Sequence, residues 1–550
     1  MPKLRRLSLR ILLAMLLWSG ATAGVACAQN TPLPVTIVVN AGANRHPISP
    51  LIYGLNFGTT ETLKDLRVTI NRSGGNSAST YNWKIDARNA GVDWFFESQA
   101  VDPKAIYDQF NERFVELTRA GGAVPMLTIP MIGRVAKLGK DRARLASFSI
   151  AKYGPQQNFD VNGLIDAGNG VGLDGKFIKN DPDDASVPDD PQSQEDRVKQ
   201  LVRKFGHAGG ARYYLMDNEP SLWQLAHRDI HPIGAHAREI ASKVIAYSKA
   251  VKAADPKALI VAPEEWGWMG FHYSGFDTQY MHDQKSMAYA PDRQTETQGM
   301  DYVPWLLTQW KKAGHPIDVF SLHFYPQGGE YNDAGEPNTP AIALARNRST
   351  RDLWDPNYKD PNWINSVVDL IPTMRKWVDT YYYPGTPIAL TEYNWGGENL
   401  MNGATAQADL LGIFGREGLD IATRWGTIDP SMPVYKAIKL YRNYDGHGSA
   451  FGTTSVADTA PDPDQVSSFA ALRDHDHVMT IMVINKQLDQ SADTTIAVDN
   501  FPGKGKAETW QLADNAIARL QDTDYANSQL HTMLPPQSVT LFVLHDTAHK

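Results

Sequence analysis

Eight short apolar runs recur between residues 51 and 427 of this chain, and segments with the periodicity of amphipathic helices separate them. Each run ends in polar or aromatic residues, as expected of buried parallel strands whose carboxyl ends share one functional face. Strands that alternate with helices predict a parallel sheet wrapped by helices, and eight strands can close a barrel. We therefore predict an α/β fold, a (β/α)8 barrel, with strands that begin at Leu51, Val68, Val124, Arg212, Ala258, Ile317, Pro387 and Leu419.

A helix is predicted between the second and third of these strands. Asp102 is a suitable N-cap and Pro103 a suitable first helical residue, while Phe110 and Phe114 recur on one face. Gly121 and the glycine after it would end the helix. The expected span is therefore 103–120.

The pattern changes after about residue 445, where short apolar segments are separated by Asp, Asn, Gly and Pro. This spacing predicts an antiparallel β-sandwich. The run from Val35 to Val39 precedes the barrel and is expected to join that sandwich. The predicted division is a signal peptide at 1–28, one or more sandwich strands at 29–50, the barrel at 51–445 and the remaining sandwich at 446–550.

Residues 1–28 have the pattern of a secretory signal peptide. A basic start that includes Lys3 is followed by the apolar run 11–18 and by the small-residue site Ala26-Cys27-Ala28. The apolar run is too short to anchor the protein in a bilayer. Cleavage near Ala28 predicts a secreted protein, extracellular or periplasmic. It would also remove Cys27, the only cysteine, although lipidation of Cys27 is an alternative.

The overall charge excludes some classes of partner. A net charge of -8 and a pI near 6.0 argue against nucleic acid or an anionic membrane surface as the main partner. The chain contains no phosphate-binding glycine loop, no His-Glu-x-x-His motif and no cysteine pair for zinc. We expect a monomer that acts on a polysaccharide and needs no cofactor for catalysis.

Two glutamates stand just beyond apolar runs. Glu219 follows the fourth predicted strand and Glu392 follows the seventh, so the barrel would bring both to one cleft. A pair of facing carboxyl groups is the machinery of glycosidic bond cleavage. Glu219 is the predicted acid/base, and the preceding Asn218 could donate a hydrogen bond to a sugar 2-OH. A structural Asn-Glu-Pro at a helix start is the alternative.

Glu392 is the predicted nucleophile. Arg72, at the end of the second strand, could keep this carboxylate ionised, and Tyr325 could donate another hydrogen bond to it. His323 could orient a carboxylate or touch substrate. The alternatives are a structural Arg72–Glu392 ion pair and an ordinary core histidine.

Several tryptophans lie near the predicted strand ends and could stack on sugar rings. Trp425, at the end of the eighth strand, would form the floor under the sugar that is cleaved. Core packing is an equally good interpretation for any single one of them. The predicted substrate-binding set is Trp83, Trp94, Trp223, Trp266, Trp395 and Trp425.

Two long irregular stretches are expected to be loops. The first, 158–194, contains the acidic run 181–184, which could bind calcium, although a solvated surface loop fits as well. The second, 327–340, is expected to form part of the rim of the cleft.

The chain resembles glycoside hydrolase family 44, and the resemblance covers most of the mature sequence. It rests on the segments 53–57, 72–76, 81–83, 216–223, 391–393 and 406–418. It implies a retaining endo-β-1,4-glucanase or xyloglucanase with Glu219 as acid/base, Glu392 as nucleophile, and a barrel joined to a sandwich built from both chain ends. Members of the family are reported with calcium or zinc, but no ligands can be placed on this sequence.

Other functions remain open. A related barrel enzyme, such as a xylanase or an arabinofuranosidase, would share the same two glutamates. A catalytically silent glycan-binding protein is the alternative from outside enzymes.

Overall fold

The computed structural model describes residues 31–105, 107, 109–331, 338–473 and 475–545. The strands are β1 Leu33–Asn40, β2 His46–Pro47, β3 Gly54–Asn56, β4 Ile70–Ser73, β5 Ala87–Asn89, β6 Glu97–Ala100, β7 Val124–Ile129, β8 Arg134–Ala136, β9 Leu145–Ala146, β10 Ser186–Pro188, β11 Tyr213–Met216, β12 Leu259–Glu265, β13 Val319–Phe324, β14 Ile388–Tyr393, β15 Ile421–Arg424, β16 Thr454–Thr459, β17 Val466–Arg473, β18 Val478–Asn485, β19 Ala492–Asp499, β20 Gly505–Ala513, β21 Ala516–Arg519, β22 Thr523–Ala526, β23 Gln529–Leu534 and β24 Ser538–His545.

The helices are α1 Thr60–Asp65, α2 Glu112–Ala120, α3 Ile150–Tyr153, α4 Pro191–Phe205, α5 Trp223–Ala226, α6 Ala237–Ala254, α7 Trp268–His272, α8 Gly275–Gln284, α9 Pro291–Thr295, α10 Tyr302–Lys312, α11 Pro340–Arg348, α12 Leu370–Tyr381, α13 Met401–Arg416 and α14 Pro433–Arg442. None of the helices in the described part of the chain is long and apolar enough to cross a membrane. The predicted signal peptide, with Cys27 and Ala28, lies outside the described residues.

Eight parallel strands close into a barrel in the order β3, β4, β7, β11, β12, β13, β14 and β15. Each of the eight apolar runs contains one of these strands, so the predicted barrel is confirmed. A layer of buried apolar side chains fills its interior, including Ile70, Leu215, Val261, Val319 and Ala389. Because all eight strands run the same way, their last residues meet on one face.

The second domain is the β-sandwich, and the prediction that it takes in an N-terminal strand is also confirmed. Its strands form one sheet in the order β1, β19, β23, β22, β20, β24, β18, β17, β16 and β2, with β21 beside β20. β1 pairs with β19 in parallel and with β16 antiparallel. Val35, Ile37 and Val39 alternate with exposed residues of β1 and enter the sandwich core. Of the sandwich strands, β2, β16 and β21–β23 are absent from the sequence prediction.

The two domains meet along α13, whose buried face includes Asp409. One oxygen of this carboxylate accepts a hydrogen bond of 2.5 Å from Ser467, and the other lies 2.7 Å from Lys486 Nζ. Both partners belong to the sandwich or its connecting turn, and Lys486 is 1% exposed. We keep the division at residues 50/51 and 445/446 as a proposal, because these points fall between barrel and sandwich strands.

The helix predicted for 103–120 begins later than expected. Asn111 caps α2, and Glu112 is its first residue. Asp102 accepts a hydrogen bond from the Lys104 amide and therefore makes a turn. The Gln109 side chain donates to the Asp102 and Ala105 carbonyl oxygens, at 2.8 Å each, and so satisfies this irregular backbone.

Candidate active site

The barrel brings Glu219 and Glu392 to the same end of the sheet. Glu392 is the second-last residue of β14, and Glu219 follows the end of β11. The Glu219 backbone has a left-handed φ of 46°, and its amide donates to the Glu264 carbonyl oxygen at 3.0 Å. One oxygen of each glutamate and one ring nitrogen of His323 all lie within 4.8 Å of one another. The two carboxyl groups therefore face a common space.

Arg72 donates a charge-assisted hydrogen bond to Glu392, the candidate nucleophile. Its Nη1 donates to Glu392 Oε1 at 2.6 Å and to Asn56 Oδ1 at 2.9 Å. Its Nη2 donates to Asn218 Oδ1 at 3.0 Å and to Glu264 Oε2 at 3.0 Å. The guanidinium is fully buried, so these charge-assisted bonds are shielded from water.

Tyr325 and His323 contact the other oxygen of Glu392. The Tyr325 hydroxyl donates to Oε2 at 2.9 Å, and His323 Nδ1 lies 3.5 Å from the same atom. Burial and then the Glu392 carboxylate raise the Tyr325 pKa well above its ordinary value, so the phenol stays protonated as a donor. Glu392 thus has a hydrogen-bond donor at each oxygen.

The environment of Glu219 favours a protonated carboxyl group. Burial raises its pKa, the charge of Glu392 raises it further, and His323 acts in the opposite direction. His323 Nδ1 lies 2.8 Å from Glu219 Oε1. A carboxylic acid that retains its proton is what a general acid requires.

Asn218 is oriented by its amide oxygen. Oδ1 accepts from Arg72 Nη2 and from the Gly75 amide, both at 3.0 Å. The side-chain nitrogen has a contact of 3.5 Å with Asn76 Oδ1. This arrangement leaves Nδ2 as the donating end of the side chain.

Glu264 belongs to the same cluster, although the sequence analysis assigned it no role. It is fully buried in β12, and its Oε2 lies 3.0 Å from Arg72 Nη2 and 3.2 Å from His323 Nε2. Burial opposes ionisation of Glu264, but Arg72 and then His323 outweigh it and lower its pKa. A signal was available, since Glu264, like Glu219 and Glu392, stands at the carboxyl end of an apolar run.

The sugar-binding role predicted for Trp223 and Trp395 is wrong, because both side chains are buried. Trp223 is completely buried, and its indole nitrogen donates to Asp217 at 3.3 Å. Trp395 is 2% exposed and donates to Ser349 Oγ at 3.0 Å. Neither ring has a face that a sugar can reach. Both pack in the hydrophobic core, because a tryptophan after a strand can turn inward as readily as outward.

The other four tryptophans are partly accessible. Trp425 packs edge-on against Phe57, and a Cβ at Gly75, where φ is +77°, would lie 2.6 Å from its ring. Only glycine fits there without displacing the Trp425 ring. Trp94 is 44% exposed, whereas Trp83 and Trp266 are half-buried. Their contact with substrate stays a prediction.

The acidic run 181–184 is largely engaged within the protein. Asp183 forms an ion pair with Arg134, and Asp184 pairs with Lys152 at 2.5 Å. These bonds tie the long loop to its neighbours. The interpretation as a surface loop accounts for these two ion pairs, and calcium binding stays a prediction.

A second group of side chains has metal-like spacing. Ligand atoms of His236, Asp292 and Glu296 lie within 4.8 Å of one another. Asp292 already accepts hydrogen bonds from His236 at 2.8 Å, from the Ala237 amide at 3.0 Å and from Ser274 at 2.7 Å. Because this carboxylate caps the start of α6, the group has a structural role without an ion.

The rim of the cleft is described in part. Tyr331 packs against Tyr325 with ring centroids 4.9 Å apart. Residues 332–337 of the predicted rim segment lie outside the described residues.

Known proteins share this architecture. A family model described as glycoside hydrolase family 44 matches residues 87–328. The crystal structure of CelM2, a bifunctional glucanase-xylanase protein from a metagenome library, is 50% identical in sequence, with a TM-score of 0.90, and the match covers 94% of this chain and all of that one. Endoglucanase A of Paenibacillus lautus is 30% identical over 96% of this chain and 76% of its own length.

Beta-mannanase/endoglucanase A of Caldicellulosiruptor saccharolyticus is 29% identical over 92% of this chain, which spans 38% of that longer protein. The superposed structure has the same fold as this chain, and the family model and both sequence relatives match it in sequence. This chain therefore belongs to glycoside hydrolase family 44 and is a glycoside hydrolase.

Proposed function

We propose that the chain is a secreted, retaining endo-β-1,4-glucanase that hydrolyses cellulose-type β-glucans, xyloglucan or both by double displacement. The observation that carries the proposal is the approach of Glu219 and Glu392, whose nearest oxygens lie within 4.8 Å. Retaining enzymes hold their carboxyl groups about 5–5.5 Å apart, whereas inverting enzymes need about 6.5–9.5 Å to admit a water molecule. The short separation favours the retaining mechanism.

In the first step, Glu392 attacks the anomeric carbon. A bond forms between a Glu392 carboxylate oxygen and that carbon while the glycosidic C–O bond breaks. Glu219 gives its proton to the departing oxygen, so the leaving chain departs as a neutral alcohol. Arg72 and Tyr325 keep Glu392 ionised and oriented until the attack.

In the second step, water hydrolyses the glycosyl-enzyme ester. Glu219, now a carboxylate, takes a proton from the water as its oxygen attacks the anomeric carbon, and the bond to Glu392 breaks. Two inversions restore the original configuration. His323, which touches Glu219 at 2.8 Å, stabilises the ionised form of Glu219 between the two steps.

Substrate binding would use Asn218 and Trp425. The donating end of Asn218 suits the 2-OH of the sugar at the cleavage point, where hydrogen bonds strengthen in the transition state. The accessible ring of Trp425 suits the apolar face of the same sugar. We expect a polysaccharide as the partner, a monomeric protein and secretion after cleavage near Ala28.

The stereochemical test is direct. Proton NMR of a cello-oligosaccharide digest should show the β-anomer as the first product, followed by slow mutarotation. Initial appearance of the α-anomer would overturn double displacement. N-terminal sequencing of protein from the culture medium tests secretion and the cleavage point, and light scattering tests the monomer.

Xylan is a second candidate substrate. It is favoured by the 50% identity to a protein described as a bifunctional glucanase-xylanase. A panel of carboxymethylcellulose, xyloglucan, xylan, mannan and an aryl arabinofuranoside would rank the activities. Arabinofuranoside release with an intact glucan backbone would reject the glucanase proposal. Unchanged carboxymethylcellulose viscosity, with binding retained, would favour a silent glycan-binding protein.

A further inference from the structure

We propose that Glu264 is a positioning residue, the shared counter-ion that keeps Arg72 and His323 cationic side by side and so controls the proton on Glu219. The proposal rests on the acid/base and nucleophile roles proposed above for Glu219 and Glu392. Glu264 itself touches neither the substrate space nor the reacting atoms. It would act through the two cations that contact the glutamates.

The geometry places one carboxylate oxygen between two donors. Glu264 Oε2 lies 3.0 Å from Arg72 Nη2 and 3.2 Å from His323 Nε2, and those two nitrogens are only 3.3 Å apart. All three side chains have no exposure to solvent. Two cations at this distance would repel strongly in a buried site, and a carboxylate that accepts from both removes the conflict.

The other polar atoms of Glu264 are also hydrogen-bonded. Its Oε1 accepts from the Thr391 hydroxyl at 2.8 Å, and its amide donates to Ser321 Oγ at 3.3 Å. Its carbonyl oxygen accepts the Glu219 amide. The residue has a left-handed φ of 61°, a backbone conformation that non-glycine residues adopt mainly where surrounding structure or function requires it. Neighbouring strands thus hold this carboxylate in place.

Counting charges explains why a third carboxyl group is needed. The buried cluster contains the carboxyl groups of Glu219, Glu264 and Glu392 and the bases Arg72 and His323. If both bases are protonated and Glu264 and Glu392 are ionised, the cluster is neutral only when Glu219 carries a proton. That is the state from which a general acid starts. Without Glu264, the same state would carry an excess positive charge.

His323 then has both ring nitrogens protonated. Nε2 donates to Glu264, and Nδ1 donates to Glu219 Oε1, with Glu392 Oε2 at 3.5 Å. Arg72 Nη2 also faces the ring, 3.3 Å from Nε2. Burial alone would lower the His323 pKa, but the carboxylates of Glu392, Glu219 and Glu264 raise it to about 10. The imidazolium would therefore persist across the neutral range.

The test compares Glu264→Gln with Glu265→Gln. The first substitution is isosteric and removes the shared charge. The second changes the neighbouring buried glutamate, which bonds to Ser221 and Tyr302 and whose pKa burial raises to about 8, so it is largely uncharged at neutral pH. Histidine ring nitrogens are labelled with 15N, and His323 is assigned among the 15 histidines by its loss in His323→Asn.

The wild type and Glu265→Gln should show a doubly protonated His323 throughout the neutral range. In Glu264→Gln the His323 titration midpoint should fall by about 1–3 units, the usual effect of a neighbouring charge. Glu264→Asp, which keeps the charge, should restore part of the shift. On β-glucan, kcat/KM should fall in Glu264→Gln and recover in part in Glu264→Asp.

A His323 midpoint unchanged by Glu264→Gln would overturn the proposal, whatever happens to activity. A neutral His323 in the wild type near pH 7 would do the same, even if no variant folds. The titration does not require turnover. A wild type that cleaves no polysaccharide would reject the proposed function, while the titration would still decide the role of Glu264.

Discussion

Arg72 Nη1 and Glu392 Oε1 lie 2.6 Å apart, and the arginine side chain has no solvent exposure. A buried cation at this distance favours the ionised carboxylate. Replacing Arg72 with Met removes this cation and one of the two hydrogen-bond donors of Glu392, so kcat/KM on β-glucan should fall by roughly 10²-fold or more because the nucleophile loses its positioning.

Arg203→Met is the matched control, because Arg203 is exposed on α4. Its kcat/KM should equal that of the wild type. If a folded Arg72→Met enzyme keeps the kcat/KM of the wild type, then another group, such as Tyr325, positions Glu392.

The two glutamates should respond differently to amide substitution. Glu392→Gln removes the nucleophile and should abolish turnover on every substrate. Glu219→Gln removes proton donation, which typically contributes about 10²–10⁴-fold, and should spare aryl glycosides whose phenols are already acidic. Azide should then rescue deglycosylation of the Glu219 variant and yield a β-glycosyl azide, detectable by mass spectrometry and NMR.

Glu265→Gln serves again as the control, with azide expected to give no glycosyl azide. If azide rescues Glu392→Gln to a β-azide and fails with Glu219→Gln, the two roles must be exchanged.

Alanine substitutions of Trp425 and Trp395 should have different effects, because Trp425 is predicted to bind substrate whereas Trp395 packs in the core. Trp425→Ala should lower kcat/KM on polysaccharide by at least roughly tenfold, about 1.4 kcal/mol, with little change in the melting temperature. Trp395→Ala should instead lower the free energy of unfolding by about 3–5 kcal/mol, as for other buried aromatic truncations. Kinetics at a temperature where both variants are folded, together with thermal unfolding, distinguish these effects. Equal thermal destabilisation of the two variants would contradict the assignment.

Asp352 should make the free energy of unfolding depend on pH. It is 1% exposed, and neither carboxylate oxygen has a hydrogen-bond donor in the described part of the chain. Burial and then the facing Asp360 carboxyl raise its pKa to about 9. Only a proton between the two acids can join them.

Because the folded pKa exceeds the unfolded value of about 3.9, the protonated Asp352 contributes stability that is complete below that value. This contribution is lost as pH rises through the window up to about 9. Asp352→Asn should therefore stabilise the protein at pH 8 by about 1–3 kcal/mol and have much less effect at pH 4. Denaturant unfolding at both pH values measures this. The exposed Asp283→Asn should change neither, and a destabilised Asp352→Asn at pH 8 would refute the prediction.

The barrel could be predicted because each of its strands lies in a short apolar run of the sequence. Val319 to Phe324 and Ile388 to Tyr393, for example, are short buried runs, and hydrophobic burial alone makes such runs apolar. Glu219, Glu392 and Arg72 followed from their places at the ends of such runs. To predict that the three side chains converge, it was enough to know that the strands are parallel.

Other features depend on three-dimensional contacts that local patterns do not encode. The directions of the Trp223 and Trp395 rings depend on partners elsewhere in the chain: Lys243 lies over the ring of Trp223, and Ser349 accepts from the indole of Trp395. The role proposed for Glu264 depends on which cations meet it across the barrel. The start of α2 was misplaced because an Asp-Pro pair favours a turn as readily as a helix cap.

The parallel pairing of β1 with β19 joins Leu33 to Ala492, two residues that are far apart in the sequence. During synthesis, Val35, Ile37 and Val39 of β1 therefore have no native strand partner until β16 and β19 have been made. An apolar strand that waits unpaired is prone to associate with other chains, and such distant pairing slows folding. The sandwich therefore cannot fold strand by strand in the order of synthesis. Completion of the sandwich core therefore waits for β19, long after β1 has been synthesised.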